Sequence, residues 1–340
     1  SDVIAHSAGI LDIKTNILPN ADALFLTAID PYGHELWRWT FPVNKLNQQT
    51  EQLSPLSSRP TYTETENELT VKANKRTFIF SKKDGQLKGV SVDNRKISFA
   101  NGPRFIGARR ADRSLDQFYN HDDEKAKEKD RTYSEFPDAA VFTKLDVKED
   151  GGNLVVTANY KLGNLDKAQW TINPSGDLAL DYTYNFSGVV DLMGIRFDYP
   201  EDQVISKRWL GAGPYRVWQN RIHGTQYDVW ENDYNDPIPG ETFTYPEFKG
   251  YFGDVSWMNI QTKEGTISLT NETPDAYIGV YQPRDGRDRL LYTLPESGIS
   301  VLNVIPPVRN KVNSTDLCGP SSQPKWVNGP QTGRVIFRFM

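Results

Sequence analysis

The sequence predicts an all-β protein dominated by one very large two-layered sandwich. Three observations carry that prediction. Apolar and polar residues alternate with a period of two along most of the chain, turn-forming residues separate these runs at short intervals, and no segment holds an apolar stripe at helical spacing for three turns. Leu178, Leu180, Tyr182, Tyr184 and Phe186 share one face of a predicted strand, with Ala179, Asp181, Thr183 and Asn185 on the other. Leu154, Val156, Ala158 and Tyr160 repeat the pattern, as do Val141, Thr143, Leu145 and Val147. Val335, Phe337 and Phe339 predict a closing strand. Asp84-Gly85, Asp150-Gly151-Gly152-Asn153, Ser175-Gly176-Asp177 and Glu264-Gly265 supply the turns. The nearest thing to a helix, Asp122 to Arg131, is charged on all sides and predicts a solvated loop or one short helix.

The chain divides into three stretches. In residues 1–43, the runs Leu24 to Ile29 and Leu36 to Phe41 flank Asp30-Pro31-Tyr32-Gly33 and predict a hairpin. A lone hairpin is barely stable in water, so this stretch is expected to be the tail of a small β-sandwich domain or to dock on the larger one. Residues 44–66 are rich in Gln, Ser, Thr and Pro without periodicity, which is linker composition. Residues 67–340 are nearly all predicted strand, and a sandwich of that size needs many strands per layer.

Composition excludes several classes of function. A net charge of −5, with Arg109-Arg110 and nearby Arg113 as the largest basic cluster, gives no surface for nucleic acid. No window reaches the roughly 20 apolar residues of a membrane span, and no apolar run resembles a signal peptide, so the chain reads as a mature or excised segment. The single cysteine, Cys318, excludes an internal disulfide framework, and the four histidines show no metal-ligand spacing. No cofactor or metal is expected. The aromatic fraction is 12%, with eight Trp, sixteen Tyr and sixteen Phe. Such residues fill sheet cores, and they also stack on sugar rings.

One stretch carries a family resemblance. Gly194-Ile195-Arg196-Phe197, Trp209-Leu210-Gly211-Ala212-Gly213-Pro214-Tyr215 and then Arg221 follow in the order of a strand and a "W-L-G-x-G-P-x-E" turn. Tyr245-Pro246-Glu247 and Asp254-Val255-Ser256-Trp257 lie downstream; Gly85-Gln86-Leu87, Gly102-Pro103-Arg104 and Leu36-Trp37-Arg38-Trp39 lie upstream. In this order they resemble the small-chain domain of β-galactosidases, the last domain of family-two glycoside hydrolases. The resemblance implies a galactose-mutarotase-like supersandwich preceded by a small β-sandwich piece. It also implies a role accessory to a catalytic β/α barrel, and the chain has neither that barrel's alternation of strands and helices nor its Asn-Glu-Pro motif. The partners it implies are that barrel and a carbohydrate, either a galactoside or a plant or host polysaccharide. The expected setting is bacterial, secreted or periplasmic. Two departures, Pro214-Tyr215-Arg216 and Arg109-Arg110-Ala111-Asp112-Arg113-Ser114, fall in stretches the resemblance puts near the sugar cleft and leave galactose itself unsupported.

The candidate carbohydrate-binding residues are Trp326, Tyr215, Arg221, His223, Trp230 and Glu247, with no catalytic residue among them. The resemblance implies a loop that lends a Trp to the sugar site. Trp326 is its counterpart, at the end of the Gly-, Pro- and Ser-rich stretch from Asp316. Trp218, Tyr227 and Trp230 are interspersed with Gln219, Asn220, Gln226 and Asp228, the mixture of flat apolar faces and planar polar groups that sugars require. The same mixture fills ordinary loops. His223 with Glu247 or Asp254 is the one acid/base pairing that an alternative reading, an aldose epimerase or polysaccharide lyase on the same fold, has at its disposal. A free-standing carbohydrate-binding module is the third reading.

Overall fold

A computed structural model of the chain describes residues 6–10, 21, 23–43, 58–110, 133–233, 250–280, 294–307 and 319–340. The two runs flanking Asp30-Pro31-Tyr32-Gly33 form a separate hairpin, β1 (Ala23–Ile29) and β2 (Glu35–Pro42). The chain then builds one layer with β3 (Thr61–Glu64), β4 (Glu68–Ala73), β5 (Arg76–Ser81), β6 (Leu87–Val92), β7 (Arg95–Ile97), β8 (Ala100–Arg110) and β9 (Tyr133–Glu135). It crosses to the second layer for β10 (Val141–Asp150), β11 (Asn153–Lys161), β12 (Leu165–Ile172) and β13 (Leu178–Val190), and returns for β14 (Leu192–Asp198). The strands β15 (Val204–Gly213), β16 (Gln226–Asp233), β17 (Trp257–Thr262) and β18 (Gly265–Asn271) extend the second layer. Next, β19 (Tyr277–Gly279) and β20 (Ile299–Val304) complete the first, and β21 (Lys325–Phe339) ends in the second. The layers hold ten and nine strands among the described residues, and they are the expected supersandwich.

Pairing decides what alternation alone leaves open. Every strand pair named in the two layers is antiparallel, so one face of each strand turns to the interlayer core and the other to solvent. Leu178, Leu180, Tyr182, Tyr184 and Phe186 are buried, as predicted. The turn Gly151-Gly152 has φ of 56° and 90°, the two left-handed positions that a tight hairpin between β10 and β11 demands. In β10 the register shifts between Phe142 and Lys144, a β-bulge. Phe142, Leu145 and Val147 therefore pack on the core, while Val141 and Thr143 are exposed; the strict alternation predicted from Val141 fails at the extra residue. The stretch read as linker contributes β3, paired along its length with β4, so the first layer begins at Thr61. Asp122 to Arg131 lies outside the described residues.

Aromatic rings join the two layers. Phe99 stacks 4.7 Å from Phe197 of β14 and meets Phe337 of β21 at 4.9 Å and Phe339 at 5.3 Å. Trp170 of β12 lies 5.9 Å from Phe80 and 6.0 Å from Phe197. Gly102 permits this packing, since a Cβ there would fall 2.3 Å from the Phe197 ring. Polar ties complement the rings. Tyr184 donates its hydroxyl to Asn303 at 2.6 Å, across from β13 to β20. The buried Arg76 of β5 donates to the carbonyls of Phe339 at 2.7 Å and Ser175 at 2.6 Å. Glu264, in the β17–β18 turn, accepts from the Ser98 amide at 2.9 Å and its hydroxyl at 2.6 Å.

At the base of β13, Arg338 forms a two-pronged ion pair with Asp177, at 2.6 and 2.8 Å. Burial alone would raise the Asp177 carboxyl, but the hydrogen bonds and charge of Arg338, with the Asn173 hydrogen bond and the charge of Arg76, hold the group below the ordinary carboxylate range. A depressed folded-state value means that the pair contributes stability above the unfolded carboxylate value of about 4 and loses it as pH falls through the folded value. Arg338→Met is expected to cost about 3 kcal/mol at pH 7, because Asp177 then keeps its charge with no ion-pair partner and only the Asn173 side-chain amide, at 3.2 Å, donating to it. In urea titrations the gap between wild type and variant should shrink below about pH 4. A gap independent of pH would assign the loss to packing.

Candidate functional site

Two segments a hundred residues apart, one carrying Tyr215, Arg221 and His223 and the other leading to Trp326, are tied together. After β15 the chain passes Tyr215 and turns back through Trp218 to Arg221, whose amide donates to the Trp218 carbonyl at 2.9 Å. Gln219, at the tip, is buried. Its side-chain amide donates to the carbonyls of Ser321 at 2.9 Å and Gln323 at 2.7 Å, and its backbone amide donates to Pro306 at 3.1 Å. Asn220 donates to the Ser322 hydroxyl at 3.0 Å. These bonds hold the short 3₁₀ turn Pro320–Ser322 against the β15–β16 connection, and the chain leaves that turn directly into β21.

Trp326 is the second residue of β21, not a loop residue as the sequence predicts. It pairs with Val189 of β13, and its side chain is 71% exposed. The Gly, Pro and Ser content that suggested a loop is real, but pairing with β13 organises the stretch from Lys325 onward as strand. Tyr215 and Ile222 are also exposed, so the tied segments present apolar side chains to solvent. Arg221 and His223 are exposed in the same connection. His223 makes no side-chain hydrogen bond or ion pair among the described residues. Trp230, on β16, has a different character. It is half-buried against the core, its indole nitrogen donates to the Gln226 carbonyl at 3.1 Å, and it covers Gly213, where a Cβ would fall 2.4 Å from the ring. Glu247 lies outside the described residues, as does Cys318.

The polar and aromatic mixture that suggested a sugar site is partly structural. Trp218 is buried edge-on to Tyr251, with ring centroids 5.7 Å apart. Tyr227 shares a 2.6 Å hydroxyl contact with Ser256. Gln219 and Asn220 act as ties. Their role depends on the position of Ser321 to Gln323, which no local pattern in the sequence reveals. Among the described residues no group of three His, Cys, Asp or Glu side chains is arranged to hold a metal.

Fold and rim together define a large all-β domain that carries aromatic side chains at one end and, among the described residues, no helix beyond short 3₁₀ turns. The chain belongs to the β-galactosidase small chain family, whose model matches residues 72–306, more than half of its 340 residues. No curated protein matches it. Among solved structures it is similar to galactose 1-epimerase from Lactobacillus acidophilus NCFM, with 10% identity over 83% of this chain and 99% of that one and a TM-score of 0.46. It is similar also to a GalM/aldose epimerase homologue from C. elegans (6% identity, 82% and 99% covered, TM-score 0.36). A third is HI1317 (8% identity, 83% and 100% covered, TM-score 0.35).

The tie at Gln219 has a direct consequence. Gln219→Ala removes both side-chain bonds to the 3₁₀ turn, each worth about 0.5–1.5 kcal/mol. Local opening beside Lys325 should rise accordingly, by about fivefold or more. Trypsin cleavage after Lys325, followed by mass spectrometry, reads this out. An unchanged rate would mean that the turn is held by other contacts.

Proposed function

We propose that this chain is the accessory C-terminal domain of a β-galactosidase-like glycoside hydrolase. In this reading it shapes the rim of the substrate cleft, stacks a sugar ring on Trp326, and leaves bond cleavage to a separate catalytic barrel of the parent chain. The observation that carries the reading is a large exposed indole mounted on a paired strand, beside a turn pinned by Gln219. A rigid aromatic platform suits stacking, because little side-chain freedom remains to be lost on binding. Membership of the β-galactosidase small chain family supplies the substrate class. A secreted or periplasmic bacterial setting belongs to the same proposal.

The hairpin supports a covalent or docked neighbour. Leu24 opposes Phe41, Leu26 opposes Trp39 and Ala28 opposes Trp37, which puts all six on one face. Trp37, Trp39 and Phe41 are exposed there. On the opposite face Arg38 lies over the Phe25 ring at 5.5 Å and within 3.9 Å of Asp228 on β16. The aromatic face thus turns away from β16 and matches the inner face of a sandwich whose other strands belong to the preceding domain.

Two measurements test the proposal. The chain alone should neither hydrolyse nitrophenyl glycosides nor accelerate mutarotation of galactose; turnover in either assay would make it an enzyme in its own right. Trp326→Ala should leave the melting temperature nearly unchanged, since an exposed side chain contributes within about 0.5 kcal/mol. In the hydrolase that contains the catalytic barrel it should raise KM by about tenfold, the equivalent of about 1–2 kcal/mol of lost stacking, with kcat little changed. Trp209→Ala serves as the contrast, since that buried ring should cost about 3–5 kcal/mol of stability. A large melting loss in Trp326→Ala would return this residue to the core.

A further inference from the structure

A second cleft opens between the layers, where β8 and β14 of the first face β10 to β12 of the second. Its floor is a pair of like charges. Arg104 on β8 and Arg196 on β14 are direct register partners, an arrangement that is unfavourable unless anions intervene. Asp198 takes one of the two guanidinium groups, forming an ion pair with Arg104 through Nη2. Arg196 donates through Nη1 to the Glu296 carbonyl, a neutral acceptor. The Nε atoms of both arginines are buried and find no partner among the described residues. On Arg196 no hydrogen bond within the described residues uses the edge formed by Nε and Nη2, and that edge matches the two oxygens of a carboxylate.

The walls add selectivity. Tyr160, on β11, has a buried hydroxyl that likewise lacks a partner among the described residues, and its ring meets Phe142 edge-on at 6.0 Å. Asp138 lines the same space, with its carboxyl raised by burial against the opposing pull of the Ala140 and Phe105 amides and the two arginines. Pro103 and Phe142 supply apolar surface in a cavity of about 330 Å³. That volume lies at the small end of the range for small-molecule sites, about 300–1,000 Å³. The side chain of an Asp or Glu from a partner protein would satisfy the arginines but leave Tyr160 and Asp138 unused. A ring bearing both a carboxylate and hydroxyls engages all of them.

We propose that this cleft binds a hexuronate, free or at the end of an acidic glycan. The carboxylate lies against Arg196 and Arg104, ring hydroxyls meet Tyr160 and Asp138, and a C–H face rests on Pro103 and Phe142. With a net charge of −5 the chain exerts no general attraction for acids, so the affinity comes locally, chiefly from Arg196, since Asp198 holds Arg104 and the lining Asp84 is itself paired with Lys88. The cleft shares no residue with the Trp326 rim and stands independently of the accessory-domain reading.

The test is calorimetric titration of the full chain with methyl α-galacturonoside. Its controls are methyl α-galactoside, which differs in lacking the carboxylate, and acetate, which lacks the ring. The uronoside should bind at least about tenfold more tightly than either control, the scale of one charge-assisted hydrogen-bond pair. Arg196→Gln should abolish that preference. Tyr160→Phe should weaken uronoside binding with an unchanged melting temperature, and it carries the test should Arg196→Gln fail to fold. Equal affinity for the two glycosides, acetate binding as tightly as the uronoside, an absence of uronoside heat, a preference unaltered in folded Arg196→Gln, or uronoside affinity unaltered in Tyr160→Phe would overturn the assignment.

Discussion

The structure depends on the pairing of β13 with β21. All thirteen residues of β13, from Leu178 to Val190, find a register partner on β21, from Phe337 back to Lys325. On its other edge β21 pairs with β18, so the last strand of the chain is the central strand of the nine-stranded layer. Without it that layer falls into two halves, β10 to β13 and β15 to β18. The same strand carries Phe337 and Phe339 into the ring cluster with Phe99 and Phe197, and Arg338 to Asp177. One element thus closes the sheet, joins the layers and anchors the ion pair at its end. The entropy of closing so long a chain must be met by many contacts, and β21 gathers them on one strand.

That architecture accounts for the rim. The far end of β21, beyond the interlayer core, is where Trp326 stands, held by backbone pairing to Val189 and by the Gln219-bound turn before it. An aromatic in this position is both exposed and stiff, a combination that a free loop does not provide. The hairpin β1–β2 is the converse case: a pair of strands outside both layers, with Trp37, Trp39 and Phe41 exposed on one face. The chain therefore presents two exposed aromatic features, Trp326 at the start of β21 and one face of the hairpin.

Much of this was legible in the sequence, because burial on one face imposes a period of two. The strands around Leu154, Leu178 and Val335 follow from that rule alone. What escaped was set by partners distant in the chain. The Gly-, Pro- and Ser-rich stretch that ends at Trp326 reads as a loop, yet β13 pairs with the chain from Lys325 onward, and Gly333 is required because a Cβ would fall 2.2 Å from the Tyr182 hydroxyl oxygen. The β10 bulge shifts Val141 off the core, and a bulge leaves no composition of its own. Among site residues, Trp326, Tyr215 and His223 are exposed, whereas Trp218 lies in the core and Trp230 largely packs against it. The opposition of Arg104 and Arg196 is a property of register, and register is invisible until the two strands are placed side by side.

Trp326 is carried by the sheet spine and not by a loop. Hydrogen exchange of the native chain, resolved to peptides covering Lys325 to Gly329 and Leu178 to Val190, tests it most directly. Backbone amides committed to the β13–β21 pairing should exchange slowly in both peptides, with a common dependence on denaturant, since they open only when the layer unfolds. Fast, denaturant-independent exchange across Lys325 to Gly329 beside a protected Leu178 to Tyr184 would contradict it, leaving Trp326 on a loop and the rim without its support.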